Sequence, residues 1–331
     1  MTAPPEVRPP GTPETPPNPA AAGTAAPSPA VPSPALHSPA VPIAAGPERG
    51  RGTLRMIGAA LTILAVATLG FAAQLILLGS LTHARDQKVQ YATFRAALAQ
   101  AIAPVGHLDS AGRPLAPGTP VAVLSIPRIG LREVVDEGTS GAVLAKGPGH
   151  RRDSVLPGQA GVSVLLGRRA AYGGPFRRLG ELRGGDDITV VTGQGAQTFR
   201  VIAVRRAGEP QPPVLGADRG RLTLVTADGP AYLPTDLLRV DADLMSPVQQ
   251  TPAVAIRSAA LPRSEQAMGV DGVALVPLVL WGQVLIAAAA GVVWIRQRVS
   301  RWHAWLIGLP VLALLGVLVA DQGARLLPNL L

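Results

Sequence analysis

Arg221-Leu222-Thr223-Leu224-Val225-Thr226-Ala227-Asp228-Gly229 is the stretch from which the rest of the chain can be read. It is a short apolar run that stops abruptly at a small residue and a glycine turn, which predicts a buried strand with a sharp end. Comparable runs lie at 121–126, 131–135, 162–166, 187–192, 198–204 and 238–244, rich in β-branched residues and separated by Gly or Pro turns. Short strands at that spacing predict a mainly β domain, an all-β barrel or sandwich, over residues 119–245. The alternation in 198–204 is imperfect, as expected of strands covered on both faces.

Three apolar runs bracket this domain. Residues 56–81 contain Thr62, Thr68, Gln74 and Ser80 but no charge, and at about 1.5 Å per residue they exceed a hydrocarbon core of roughly 30 Å. The run starts some fifty residues in and is longer than the roughly 7–15 apolar residues of a cleaved leader, so it reads as a retained transmembrane helix. Residues 273–295 and 304–320 read as a second and third transmembrane helix forming a hairpin. Arg49, Arg51 and Arg55 precede the first run, and Arg296, Arg298 and Arg301 link the other two. Cations are retained on the cytoplasmic side, which puts the N-terminus inside and the β domain outside a plasma membrane crossed several times. Arg85 and Lys88 just past the first run weaken the contrast.

Residues 1–50 are Pro/Ala-rich with almost no large apolar side chain, which predicts a disordered cytoplasmic tail, inert or partner-binding. Residues 87–102 place Tyr91, Phe94, Leu98 and Ile102 three to four apart, the spacing of an amphipathic helix. Residues 246–271 read as a linker. The net charge of +9 with 3% aromatic residues does not make a nucleic-acid protein, because no stacking platform or recognition motif accompanies it. The arginines outside the membrane flanks suit anionic lipid headgroups or wall polymers, or a solvated surface with no specific partner. The chain has no cysteine.

The strand at 221–229, with its Thr-Leu-x-Thr pattern, resembles the active-site strand of the sortase family, which ends in cysteine. Val123-Leu124-Ser125-Ile126-Pro127-Arg128-Ile129-Gly130 is similar to that family's first strand. Gly147-Pro148-Gly149-His150 and Leu156-Pro157-Gly158-Gln159-Ala160-Gly161 resemble the approach to its catalytic histidine in the class E branch of actinobacteria. Gly167-Arg168-Arg169-Ala170-Ala171-Tyr172-Gly173-Gly174-Pro175-Phe176 resembles that branch's Gly-His-Arg-Thr-Thr-x-Gly-x-Pro-Phe, and Gly185-Asp186 precedes a strand as it does there. The resemblance covers roughly residues 87–245. It implies a sortase-like β-barrel ectodomain, here with three transmembrane helices and the disordered tail.

Sortases are transpeptidases in which a cysteine thiolate attacks the Thr-Gly bond of a cell-wall sorting signal. The resemblance places the family's cysteine at Ala227, its histidine at Arg168 and its arginine at Leu237, with Arg239 two residues on. That chemistry needs a thiolate, a proton donor for the leaving amine and a cation at the oxyanion. A methyl group cannot attack, and a guanidinium stays charged at neutral pH and is no acid or base. The first reading is therefore a catalytically inactive module whose groove, lined by Arg168, Thr226, Asp228 and Arg239, binds a sorting-signal peptide, a wall ligand or an active sortase. Arg168 then points into the groove, or else pairs with Asp228. The second reading is a divergent transpeptidase or hydrolase using Thr226, Ser163 or Ser154, with His150 the one histidine available in the domain. No His/Asp/Glu cluster shows metal-ligand spacing, so neither a metal nor another cofactor is expected.

Overall fold

A computed structural model describes residues 58, 61, 65, 68–252, 257–298 and 301–331. The expected tail at 1–50 lies outside the described residues, as do 56, 57, 59, 60, 62–64, 66 and 67 of the first apolar run. Eight strands, β1 (Pro120–Ile126), β2 (Leu131–Glu137), β3 (Gly149–His150), β4 (Gly161–Leu166), β5 (Asp187–Thr192), β6 (Gly195–Arg205), β7 (Gly220–Asp228) and β8 (Asp236–Leu244), close a barrel in the order β1-β2-β3-β4-β7-β8-β6-β5. Most pairs are antiparallel, but β2 with β3 and β4 with β7 run parallel. Each stretch read as a strand lies within one. The strand that the sequence concealed is β3, two residues long, held by Asp136↔Gly149 and Glu137↔His150.

Alternation sorts the side chains. In β5 Ile188, Val190 and Thr192 turn inward, and Ile188 and Val190 meet Leu124, Ile126, Phe199, Leu222, Leu224 and Val240 in the barrel core. β7 differs, since all its residues except Asp228 are buried. One face fills the barrel and the other is covered by a later part of the chain, so the strand reads as a continuous apolar run.

The loop after β4 turns back into this core. A side chain at Gly167 would meet the Phe176 ring at 2.4 Å, and Phe176 itself is fully buried. Gly174 has φ +51°, and a Cβ there would stand 2.4 Å from the Arg169 carbonyl oxygen. The spacing from Gly167 to Phe176 thus follows from a hairpin that must bring an aromatic ring back under its own start. A related constraint holds β3. A Cβ at Gly149 would lie 2.2 Å from the Gly138 carbonyl oxygen, which is backbone and cannot swing away. Gly149→Ala is expected to cost about 2 kcal/mol or more through this clash. A thermal melt of the detergent-solubilised chain checks it, and an unchanged midpoint refutes it.

Helix α1 (Gly79–Ala99) continues helical residues 68–73 through a π-helical turn, Gln74–Leu78. Phe94 is buried against Val123 and Val134, with Tyr91 and Leu98 beside it, so the helix face read at 87–102 lies on the barrel. It ends before Ile102, because Ala101 adopts a left-handed φ of 54° and the amides of Ala101 and Ile102 turn back to Leu98 and Ala97. A single turn, α2 (Gly141–Leu144), follows β2. Beyond β8 the segment read as a linker is partly docked: Gln249 bridges to Gln159, and Leu261 and Glu265 are buried. Helices α3 (Leu275–Arg298) and α4 (Arg301–Arg325) pack against each other, and the described residues contain two helices long and apolar enough to cross a membrane, Gly272–Ile295 and Leu306–Arg325. Val276, Ile286, Leu306 and Leu314 are exposed along them. At the barrel end Ala324 of α4, Phe71 and Leu75 gather around Tyr172.

Candidate functional site

The outward rows of β4, β7 and β8 align Ala227 with Leu237, then Leu166, Val225 and Arg239, then Val164, Thr223 and Asp241. Residues after α4 lie across the first of these rows. The Arg169 amide donates to the Leu330 carbonyl at 2.9 Å, the Ala171 amide to that of Leu331 at 3.3 Å, and the Asn329 amide to that of Gly269 at 2.9 Å. The Asn329 side-chain amide donates to the carbonyls of Thr139 (2.8 Å), Gln266 (2.9 Å) and Ser264 (3.3 Å). Leu330 is fully buried against Leu144, Leu166, Val225 and Ala227, with Leu237 and Met268 at the edge. Ala227 is 1% exposed. The groove is filled in cis by residues 328–331.

Arg168 and Asp228 do not pair. The guanidinium of Arg168 donates to the Gly141 carbonyl at 2.8 Å and lies over the Tyr172 ring, 4.8 Å from its centroid. Its Nε and Nη1 are buried without a partner. Burial pushes this group down to about 10, opposed by Tyr172 and by Asp321 of α4, so it stays charged at neutral pH. Asp228 instead accepts from Arg169 at 2.9 Å and Arg206 at 2.8 Å. Partial burial works to raise its carboxyl, but these two cations hold it below the usual range. Adjacent arginines diverge because β4 has ended. Arg169 reaches across to the β7 end, also donating to the Ala227 carbonyl at 2.9 Å, while Arg168 is shut in by Tyr172 and the neighbourhood of α4.

Of the hydroxyls, Thr226 is buried and donates to the Gly167 carbonyl at 2.8 Å. Ser163 is buried without a partner. Ser154 lies 3.2 Å from His150 Nε2, and His150 Nδ1 lies 2.8 Å from Glu137, an order that resembles nucleophile, base and orienting acid. The hydrogens run the wrong way for that role. His150 Nε2 also meets the Val155 carbonyl at 2.9 Å, an acceptor only, so Nε2 carries the hydrogen and cannot take one from serine. Ser154 donates to the Arg151 carbonyl at 2.8 Å.

Beside the filled end the same sheet face opens into a hollow of about 520 Å³, lined by Arg151, Arg205, Arg206 and Arg239 with Val164 and Thr223. Arg205 is paired with Asp241, Arg206 with Asp228 and Arg151 with Asp153. The Arg239 guanidinium has no such partner among the described residues.

Residues 124–242 match the family model described as the sortase domain. That match spans most of the barrel. Over 88 residues the chain is 35% identical to sortase D of Bacillus subtilis (strain 168), a match covering 27% of this chain and 43% of that protein, so less than half of that relative is spanned. Among solved structures, a Clostridium perfringens sortase D5 transpeptidase is 21% identical, with 49% of this chain and 99% of that one covered and a TM-score of 0.41. A sortase E mutant from Streptomyces avermitilis is 29% identical, with 46% and 100% covered and a TM-score of 0.34. The histidine, glutamate and histidine that gather at the end of β2, His107, Glu137 and His150, form a group the sequence does not announce, because they lie 30 and 13 residues apart.

Proposed function

We propose that this chain is a membrane-held, class E-like member of the sortase family that binds a peptide without cleaving it, at the outer face of an actinobacterial-type membrane. The observation that carries the reading is Ala227, a methyl group closing β7 where the family resemblance calls for a thiol, buried beneath Leu330. Arg168 and Leu237 at the other two family positions supply neither a proton donor nor an oxyanion cation. The apolar helix pair supports membrane anchoring, with the sortase domain extracellular and the N-terminus cytoplasmic.

The ligand is a peptide of a surface protein carrying a sorting signal, or of a partner sortase. Its apolar part takes the place of residues 328–331, and an acidic group reaches Arg239 in the open hollow. A fluorescent leucine-rich peptide with one terminal carboxylate, titrated into the full chain in micelles, tests this. Arg239→Ala is expected to weaken binding about tenfold, near 1.4 kcal/mol for one lost charge-assisted contact, and the recovered peptide to be intact by mass spectrometry. Equal affinity for the carboxylate and its amide counts against the Arg239 contact. Cleavage that disappears in Thr226→Ala would establish the hydroxyl chemistry instead.

A further inference from the structure

We propose that His107, Glu137 and His150 form a buried binding site for one divalent transition-metal ion of the zinc type, tying the segment that leads from α1 to the ends of β2 and β3. The proposal is independent of what the groove binds. Glu137 closes β2 and is paired in register with His150. His107 is brought in by the turn whose Leu115 amide donates to the His107 carbonyl at 2.9 Å. All three are buried, and their ligand atoms lie within 4.8 Å of one another. One oxygen of Glu137 faces His107 Nδ1 at 3.4 Å and the other faces His150 Nδ1 at 2.8 Å.

The hydrogen-bond pattern turns proximity into a ligand set. Because His150 Nε2–H is committed to the Val155 carbonyl, Nδ1 directs its lone pair at a carboxylate, and two Lewis bases this close require a cation between them. A ligating imidazole whose far N–H is held by a backbone carbonyl is the usual support for a bound metal. His107 Nε2 is buried with no partner, which leaves that imidazole incompletely bonded and able to offer either nitrogen after a ring flip.

Ligand atoms about 2.0–2.2 Å from a tetrahedral ion stand about 3.3–3.5 Å apart. The His107 and His150 contacts, 3.4 and 2.8 Å, are to different oxygens of Glu137, so the carboxylate turns to present one oxygen to both, and ligand atoms now within 4.8 Å of one another close by up to about 1.5 Å on binding. Two imidazoles with one carboxylate suit zinc, cobalt or nickel, whereas calcium and magnesium prefer six or more oxygens.

The test uses the full chain without a polyhistidine tag, in micelles, stripped with chelator and reloaded with Co(II) or Zn(II). Expected are about one ion per chain retained after desalting, visible ligand-field bands with Co(II) that Zn(II) abolishes, and a raised melting midpoint. Glu137→Gln and His107→Gln should each lower retention at least tenfold while keeping the far-UV spectrum. Retention below about 0.1 ion per chain by the wild type overturns the proposal without reference to any variant. So does equal retention by wild type and variants, or ¹⁵N-imidazole signals of His107 and His150 that do not change on adding Zn(II), which would identify the cation as a proton.

Discussion

Asn329→Asp is expected to expel residues 328–331 from the groove and to speed maleimide labelling of an Ala227→Cys reporter by about a hundredfold or more. Asn329 is 1% exposed, and its amide hydrogens point at three carbonyls, those of Thr139, Ser264 and Gln266. Aspartate has the same shape but no hydrogen to give, and it sets a negative charge against three oxygens. Leaving buried acceptors unsatisfied costs about 1–3 kcal/mol each. Labelling of a buried group follows the free energy of local opening, and every 1.4 kcal/mol is about tenfold in that equilibrium. With Ala227→Cys alone, Leu330 covers the thiol and labelling should be slow. Leu330→Ala provides the apolar counterpart, with about 2–5 kcal/mol lost from a buried leucine. Labelling at one common rate in all three backgrounds would show that the segment does not seal the groove.

That seal was invisible in the sequence. Residues 327–331 have no periodicity and follow an apolar helix, so nothing local says that they return to the barrel to lie on β7. β7 itself was legible because burial on both faces leaves an uninterrupted apolar run. The same feature was a sign that something covers its outer face. Without that cover the sequence puts Arg168 in an open groove or, in the alternative, beside Asp228. The structure gives Asp228 to Arg169 and Arg206 and closes Arg168 beneath Tyr172. The difference is one residue of chain direction after β4, which is set by Phe176 folding back under Gly167 and not by any side-chain preference.

β3 and the His107, Glu137 and His150 group were missed for a related reason. A two-residue strand has no pattern of its own, and it forms because β2 offers parallel partners. Once Glu137 and His150 are in register, their side chains meet whatever the separation along the chain. The barrel could be read from alternation and turn residues, which are local, whereas both clusters that carry chemistry are assembled by pairing across it.

A thiol alone is expected not to restore transpeptidation. Neither Ala227→Cys nor its combination with Asn329→Asp should turn over a sorting-type peptide above the rate of the unmodified chain. A cysteine in apolar surroundings keeps its proton, and lowering its pKa takes an adjacent cation or a protonated histidine. Leu237 is aliphatic and directly opposite in the β7–β8 register. Arg168 is charged, but its guanidinium is spent on the Gly141 carbonyl and the Tyr172 face. It cannot give a proton to a leaving amine. Adding Arg168→His and Leu237→Arg to the opened, thiol-bearing chain supplies both missing groups at the positions the family resemblance assigns. A positioned acid–base group contributes about 10²–10⁴-fold. A gain of that order over the Ala227→Cys, Asn329→Asp background, read as peptide hydrolysis by mass spectrometry, is the expected result. Turnover by Ala227→Cys alone at the rate of the fourfold variant would mean that the site holds an acid–base group elsewhere, and the non-catalytic reading would fail with it.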